Sequence, residues 1–118
     1  MMFRIDPTRD EPLYAQLVAQ VHVGLARGDL KPGSRLPSAR ELAETLDLNM
    51  HTVLHAYQQL RDEGVLELRR GRGATIATTA PHGQVEIQSA LIAFAAAARK
   101  SGLSIEAATT LLKEEMTR

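Results

Sequence analysis

The 118-residue sequence contains no cysteine, so disulfide scaffolds, cysteine zinc sites and thiol nucleophiles are excluded. Aromatic residues are nearly as scarce. With only Phe3, Tyr14, Tyr57 and Phe94 present, a core must be assembled from Leu, Val, Ile and Ala, which suits packed helices better than a large sheet. Long apolar runs are missing too: the longest, residues 90–98, is about half of what a membrane-spanning helix requires. Arg4, Asp6, Arg9, Asp10 and Glu11 stand where a secretory signal would place an apolar segment. The expectation is a soluble, cytoplasmic protein with no membrane partner. Net charge is also absent, Lys and Arg balancing Asp and Glu at 14 each. A strong nucleic-acid footprint usually shows as an excess of positive charge, so any such role must come from local distribution. Arg69, Arg70 and Arg72 cluster around Gly71, while Glu41, Glu44, Asp62 and Glu63 fall on other expected helix faces.

What remains is ordinary for a folded chain of one domain and a modest appendage, with 44% hydrophobic and 24% charged residues. Residues 12–27 read as a first helix: Leu13, Leu17, Val21 and Leu25 recur every fourth position, Pro12 is tolerated in a first turn, and Gly28 stops the run. A turn-rich stretch over 29–33 leads to a short extended piece at Arg35 and Leu36. Ser38 and Glu41 have capping-box spacing and open a second helix that turns Leu42, Ala43 and Leu46 inward and ends near Asp47. Asn49 then caps a third helix with Val53, Ala56, Tyr57 and Leu60 on one face, closed by Gly64. Segments 65–68 and 74–77 read as a hairpin with a basic tip.

This order of helix, helix, short turn, helix and hairpin is the layout of a winged helix-turn-helix. The predicted fold class is mainly α with a small β-hairpin, followed by a helical tail. The expected division is 1–78 for the winged head, 79–83 for a linker containing Thr, Pro and Gly, and 84–118 for the tail. In the tail, Ile87, Leu91, Phe94 and Ala98 form one stripe, with Ala90, Ala93 and Ala97 on a narrow neighbouring face. Gly102 ends that helix, Leu103 and Ser104 give a staple and a cap, and Ile105, Ala108, Leu112 and Met116 form a second stripe. Two amphipathic helices of this length need a partner surface. The expected dimerisation residues are Ile87, Leu91, Phe94, Ala98, Leu112 and Met116.

The ordered string Pro12-Leu13-Tyr14, Gln16-Leu17, Gly28, Leu30, Pro32-Gly33, Leu36-Pro37-Ser38, Arg40, Leu42-Ala43, Thr52-Val53, Ala56-Tyr57, Leu60, Glu63-Gly64 and Arg70-Gly71-Arg72-Gly73 resembles the DNA-binding domain of GntR-family regulators over roughly residues 10–77. The short two-helix tail is similar to that of the YtrA-like subfamily. The resemblance implies a sequence-specific transcription regulator that binds double-stranded DNA, with a tail that serves dimerisation. The two-fold symmetry of a homodimer fits a partly palindromic operator, and a repressor that blocks polymerase is the simplest mechanism. Catalysis is not expected, since there is no cysteine, histidines are few and no motif places an acid pair. The sequence departs from the common pattern at Asn49-Met50-His51, where many members have Ser-Arg, at Leu54, where an arginine often follows the Thr-Val pair, and at Ala74. Those changes bear on operator sequence more than on DNA binding.

Ser38, Arg40, Asn49, Met50, His51, Thr52, His55, Arg70, Gly71 and Arg72 are the candidate DNA contacts. Arg40 presents a fork of donors suited to phosphate, or pairs with Glu44 one turn on. Asn49 to Thr52 lie where a recognition helix meets base edges, Asn49 serving equally as a cap. His51 and His55 share a face at the spacing of a zinc-protease helix, but Thr52 occupies the place of the general-base glutamate, and no metal or other cofactor is expected. Arg70 and Arg72 flank a glycine that admits close approach to phosphate or a narrow minor groove, the alternative being a solvated turn. The spacing of Gly28 and Gly33 resembles a phosphate loop, but Ser34-Arg35 lacks the required lysine, leaving a turn. Tyr14 and Tyr57 read as inter-helix packing. Two rival functions stay open: a sensor of a metal or unidentified small-molecule effector using His22, His51, His55 or His82, and a winged helix that contacts only proteins.

Overall fold

In a computed structural model covering residues 3–69, 73–81 and 83–118, the chain runs α1 (Leu13–Arg27), β1 (Arg35–Leu36), α2 (Ala39–Leu46), α3 (Met50–Asp62), β2 (Leu66–Arg69), β3 (Gly73–Ile76), α4 (Val85–Lys100) and α5 (Ile105–Met116). It parts into two compact units between Gln84 and Val85.

In the first unit the four-residue spacing of α1 becomes a buried stripe of Leu17, Val21 and Leu25. These pack with Leu42, Val53, Ala56, Tyr57, Leu60, Leu66 and Ile76 into one core. Covering each large aliphatic contributes on the order of 1.5–3 kcal/mol. Gly28 closes α1 in a left-handed conformation, φ 82°, that costs glycine little. Ser38 Oγ accepts from Glu41 N at 3.1 Å and starts α2. Asp47, at φ 55°, ends it by donating its N–H to the Ala43 and Glu44 carbonyls. Asn49 Oδ1 accepts from His51 N at 2.8 Å and starts α3. The reversal between α2 and α3 is therefore set by a left-handed aspartate and a side-chain cap within three residues.

The sheet has three strands, ordered β1-β3-β2 and antiparallel throughout. The expected hairpin is present, but its strands are shifted by one residue. The extended piece at Arg35 and Leu36 forms a third strand, paired with Thr75 and Ala74. Ser34 adds a bond beyond it, its carbonyl accepting from Ile76 N at 2.8 Å. Alternation places Leu36, Leu66, Ala74 and Ile76 on the core face. Arg35, Thr75 and Glu67 form a row on the other face. After β3 the chain returns to the end of α1: Ala80 is buried, and the N–H groups of Gly83 and Gln84 donate to Leu25 and Ala26 carbonyls.

Pro12 sits at the N-cap of α1 and not within its first turn, and the ten residues before Leu13 are tied down by glutamine side chains. Gln16, 3% exposed, accepts from Asp6 N (2.8 Å) and donates to the carbonyls of Asp6 (3.0 Å) and Glu11 (2.9 Å). Gln20 pairs in the same way with both backbone groups of Arg4. Phe3 completes this segment by entering the core. Thr8 donates its hydroxyl and N–H to Asp6 Oδ1, which holds the Asp6 carboxyl below its usual range.

The second unit is a helical hairpin. Gly102, at φ 74°, and the bond from Leu103 N to Ala98 O (2.9 Å) close α4. Ser104 caps α5 by accepting from Ala107 N at 3.0 Å. Among the described residues of this unit Ala98 alone is buried.

Candidate nucleic-acid interface

Helix α3 divides cleanly by its period. Val53, Ala56, Tyr57 and Leu60 are buried, whereas Met50, His51 and His55 are exposed and Thr52 is half-buried. The buried side fixes the helix and the outward side is left to solvent. Tyr57 adds a directional anchor, its hydroxyl donating to the Pro37 carbonyl at 2.7 Å, just ahead of the Ser38 cap. Burial, assisted by the Glu41 carboxylate, pushes the Tyr57 phenol well above its usual range, so the hydroxyl stays a donor. One side chain thus locks α3 to the entry of α2 and sets how the two helices are presented together.

The sequence-predicted residues on these two helices occupy neighbouring starts. Ser38 is half-buried and engaged as a cap, while Arg40, two residues on, is exposed. No ion pair joins Arg40 to Glu44 among the described residues, so the guanidinium is available to an outside anion. Asn49 is exposed and spends its side-chain oxygen on the cap. Arg70, Gly71 and Arg72 lie outside the described residues, as does His82. Next to the tip, Arg69 is exposed and paired with Glu67 at 3.3 Å.

His55 has a neighbour that periodicity did not disclose. Its ring stacks on Tyr14 of α1, centroids 3.8 Å apart and planes 19° from parallel. This brings the first turn of α1 beside the outward face of α3. Tyr14 stands in the motif string of the sequence, but nothing local to it marks His55 as its partner. His22 is engaged elsewhere, with Nε2 2.9 Å from Glu63 Oε1. Among the described residues no group of three or more His, Cys, Asp or Glu is placed to hold a metal ion, and no helix is long and apolar enough to cross a membrane.

In the tail, Leu91, Phe94 and Ala98 of α4 face Ile105, Ala108 and Leu112 of α5 across an open apolar groove. Exposure remains high at Leu91 (54%), Leu112 (45%) and Met116 (78%). Ile87 is also exposed, whereas Ala98 is covered within the hairpin itself.

Comparison with known proteins places this geometry. Residues 13–76 match the family described as "Bacterial regulatory proteins, gntR family". The chain is 41% identical over 91 residues to the HTH-type transcriptional repressor YtrA of Bacillus subtilis, an alignment covering 77% of this chain and 70% of that one. Among solved structures, YtrA from Sulfolobus acidocaldarius, a GntR-family transcription factor, superposes with TM-score 0.61 at 35% identity, covering 82% of this chain and 99% of that one. The AraR DNA-binding domain in complex with operator ORX1 superposes with TM-score 0.55 at 25% identity, covering 63% and 92%.

Proposed function

From the premise that the chain belongs to the gntR family of bacterial regulatory proteins and is a DNA-binding transcription regulator, we propose that it is a repressor acting as a homodimer on a partly palindromic operator in the cytoplasm. The observation that carries this reading is the outward face of α3, held by Tyr57 and left unoccupied by the core. The similarity to a named repressor supports the sign of regulation. Arg40 and the arginines at 70 and 72 contact phosphates, and Met50, His51 and Thr52 approach base edges. Head, linker and tail divide at 1–78, 79–83 and 84–118. The tail groove of each protomer receives the other, so that two recognition helices address half-sites about 34 Å apart, one helical turn of DNA.

The test is selection of bound duplexes from random-sequence DNA with the purified chain, followed by footprinting of the best site. A two-fold-related footprint is the expected result. Arg40→Ala should lower the slope of log affinity against log salt by about 1.8, the contribution of two neutralised phosphates, one per protomer of the homodimer. An unchanged slope removes Arg40 from the contact set, and a monomer in sedimentation equilibrium at operator-binding concentrations overturns the homodimer.

A further inference from the structure

Before its last two residues, the outward face of α3 carries no fixed charge. From Asn49 to Leu60 the sequence contains no Lys, Arg, Asp or Glu, and the chain as a whole is neutral. The basic groups that α3 does expose there are imidazoles. His51 and His55 are one turn apart on the same side, and both are exposed. DNA supplies a dense row of phosphates, and affinity grows with the number a protein neutralises. An imidazole meets that demand only as imidazolium.

We infer that operator binding by this chain is coupled to proton uptake, with His51 and His55 serving as the titratable cationic contacts of the recognition helix. The inference rests on the DNA-facing assignment of α3 proposed above. Three observations support it. The positive end of α3 at Asn49 attracts an anion next to His51, and a phosphate held there in turn favours the protonated ring. The Tyr14 ring lies flat against His55 at 3.8 Å, and an aromatic face stabilises a cation over it. Among the described residues neither imidazole is paired with a carboxylate. The elements packed against α3 are α1, α2 and β2, and their ionisable groups are Tyr14, His22 and Arg27 on α1, Arg40, Glu41 and Glu44 on α2, and Glu67 and Arg69 on β2, with Arg61 and Asp62 at the far end of α3 itself. Among the described residues none of these forms an ion pair with either ring. His22, by contrast, has Glu63 as its partner, which makes it a fit control.

Histidine is the side chain suited to change charge between about pH 8 and about pH 6, and a bound phosphate that favours the imidazolium about tenfold tightens affinity several-fold per ring across that range. The homodimer brings four such rings, whose effects multiply. The experiment uses the full chain and the best duplex recovered by selection, with the dissociation constant measured across that pH range at fixed ionic strength. The wild type should bind more tightly in acid. His51→Gln and His55→Gln should each remove part of the dependence, and the double variant nearly all of it. His22→Gln should leave the dependence unchanged. Replacing both rings with arginine should give tight binding at either pH, since that charge does not titrate. Thermal unfolding of every variant checks that the fold is intact. Operator affinity that is equal from about pH 6 to about pH 8 overturns proton coupling while leaving the regulator reading standing. A dependence that survives the double variant or vanishes in His22→Gln also overturns it. If no duplex is recovered at any pH, the operator-binding proposal itself fails, and this inference with it.

Discussion

Replacing Tyr57 with Phe keeps the buried ring and removes one hydroxyl, which isolates the hydrogen bond to Pro37. The bond is 2.7 Å long and Tyr57 is 2% exposed, so little water replaces the lost partner. Leaving a shielded carbonyl without its donor costs about 1–3 kcal/mol. For a domain of this size that lowers the melting temperature by about 4–8 °C per kcal/mol. The comparison with pH is more diagnostic than the loss itself. Burial raises the Tyr57 phenol above its ordinary value, so the folded state keeps a proton that the unfolded chain releases from about pH 10 upward. Stability from this group is complete below that point and falls as pH rises, by up to about 1.4 kcal/mol per pH unit. The phenylalanine variant lacks this contribution, so the gap between the two proteins should narrow between about pH 10 and about pH 11. Urea unfolding followed by circular dichroism at several pH values provides the measurement. Equal stability at neutral pH, or a gap that does not change in alkali, would refute the assignment of Tyr57 as a buried donor. Operator affinity of the variant should fall as well, because the hydroxyl fixes α3 against the entry of α2.

Ser38→Ala removes the side-chain acceptor at the start of α2 and should cost about 1 kcal/mol, read by the same unfolding assay. Gln16→Leu deprives the segment before α1 of three hydrogen bonds. A loss of about 1–3 kcal/mol is expected, together with faster proteolysis ahead of residue 13, whereas unchanged cleavage would show that Phe3 alone secures the segment. Leu91→Glu combined with Phe94→Glu places two charges in the tail groove. Since each large apolar side chain contributes about 1.5–3 kcal/mol when covered, self-association measured by sedimentation should weaken at least tenfold. The melting of the first unit should persist, and an unaltered dimer would exclude this groove as the contact.

Much of the fold was legible because it was written in local signals. The four-residue spacing in α1, the serine and asparagine caps, and the glycines at 28, 64 and 102 all mark element ends, and each of those glycines has a positive φ. Strand β1 was harder to read, since two residues carry no period and their partner lies far along the chain in β3. The ends of the hairpin strands moved by one residue, with the register unaffected, for a related reason: Val65 and Ala77 are bonded to each other and buried, so they look like strand residues by composition while lying just outside the ladder. The anchoring role of Gln16 and Gln20 has no local signal, because a polar residue in a helix reads as solvated until its remote backbone partners are known. At the interface, the outward direction of Met50 and His51 follows from the helix period. The Tyr14 and His55 stack does not, because it joins two elements whose adjacency only the folded core decides.

The tail hairpin has a physiological consequence. With Ala98 as its single dry side chain, the pair of helices has almost no interior of its own, and a short isolated helical pair is marginal in water. In the proposed homodimer its order is supplied by mass action, so that dilution loosens it and abundance firms it. A regulator built in that way would respond to its own dosage, a small change in synthesis rate becoming a graded setting of the genes under its control.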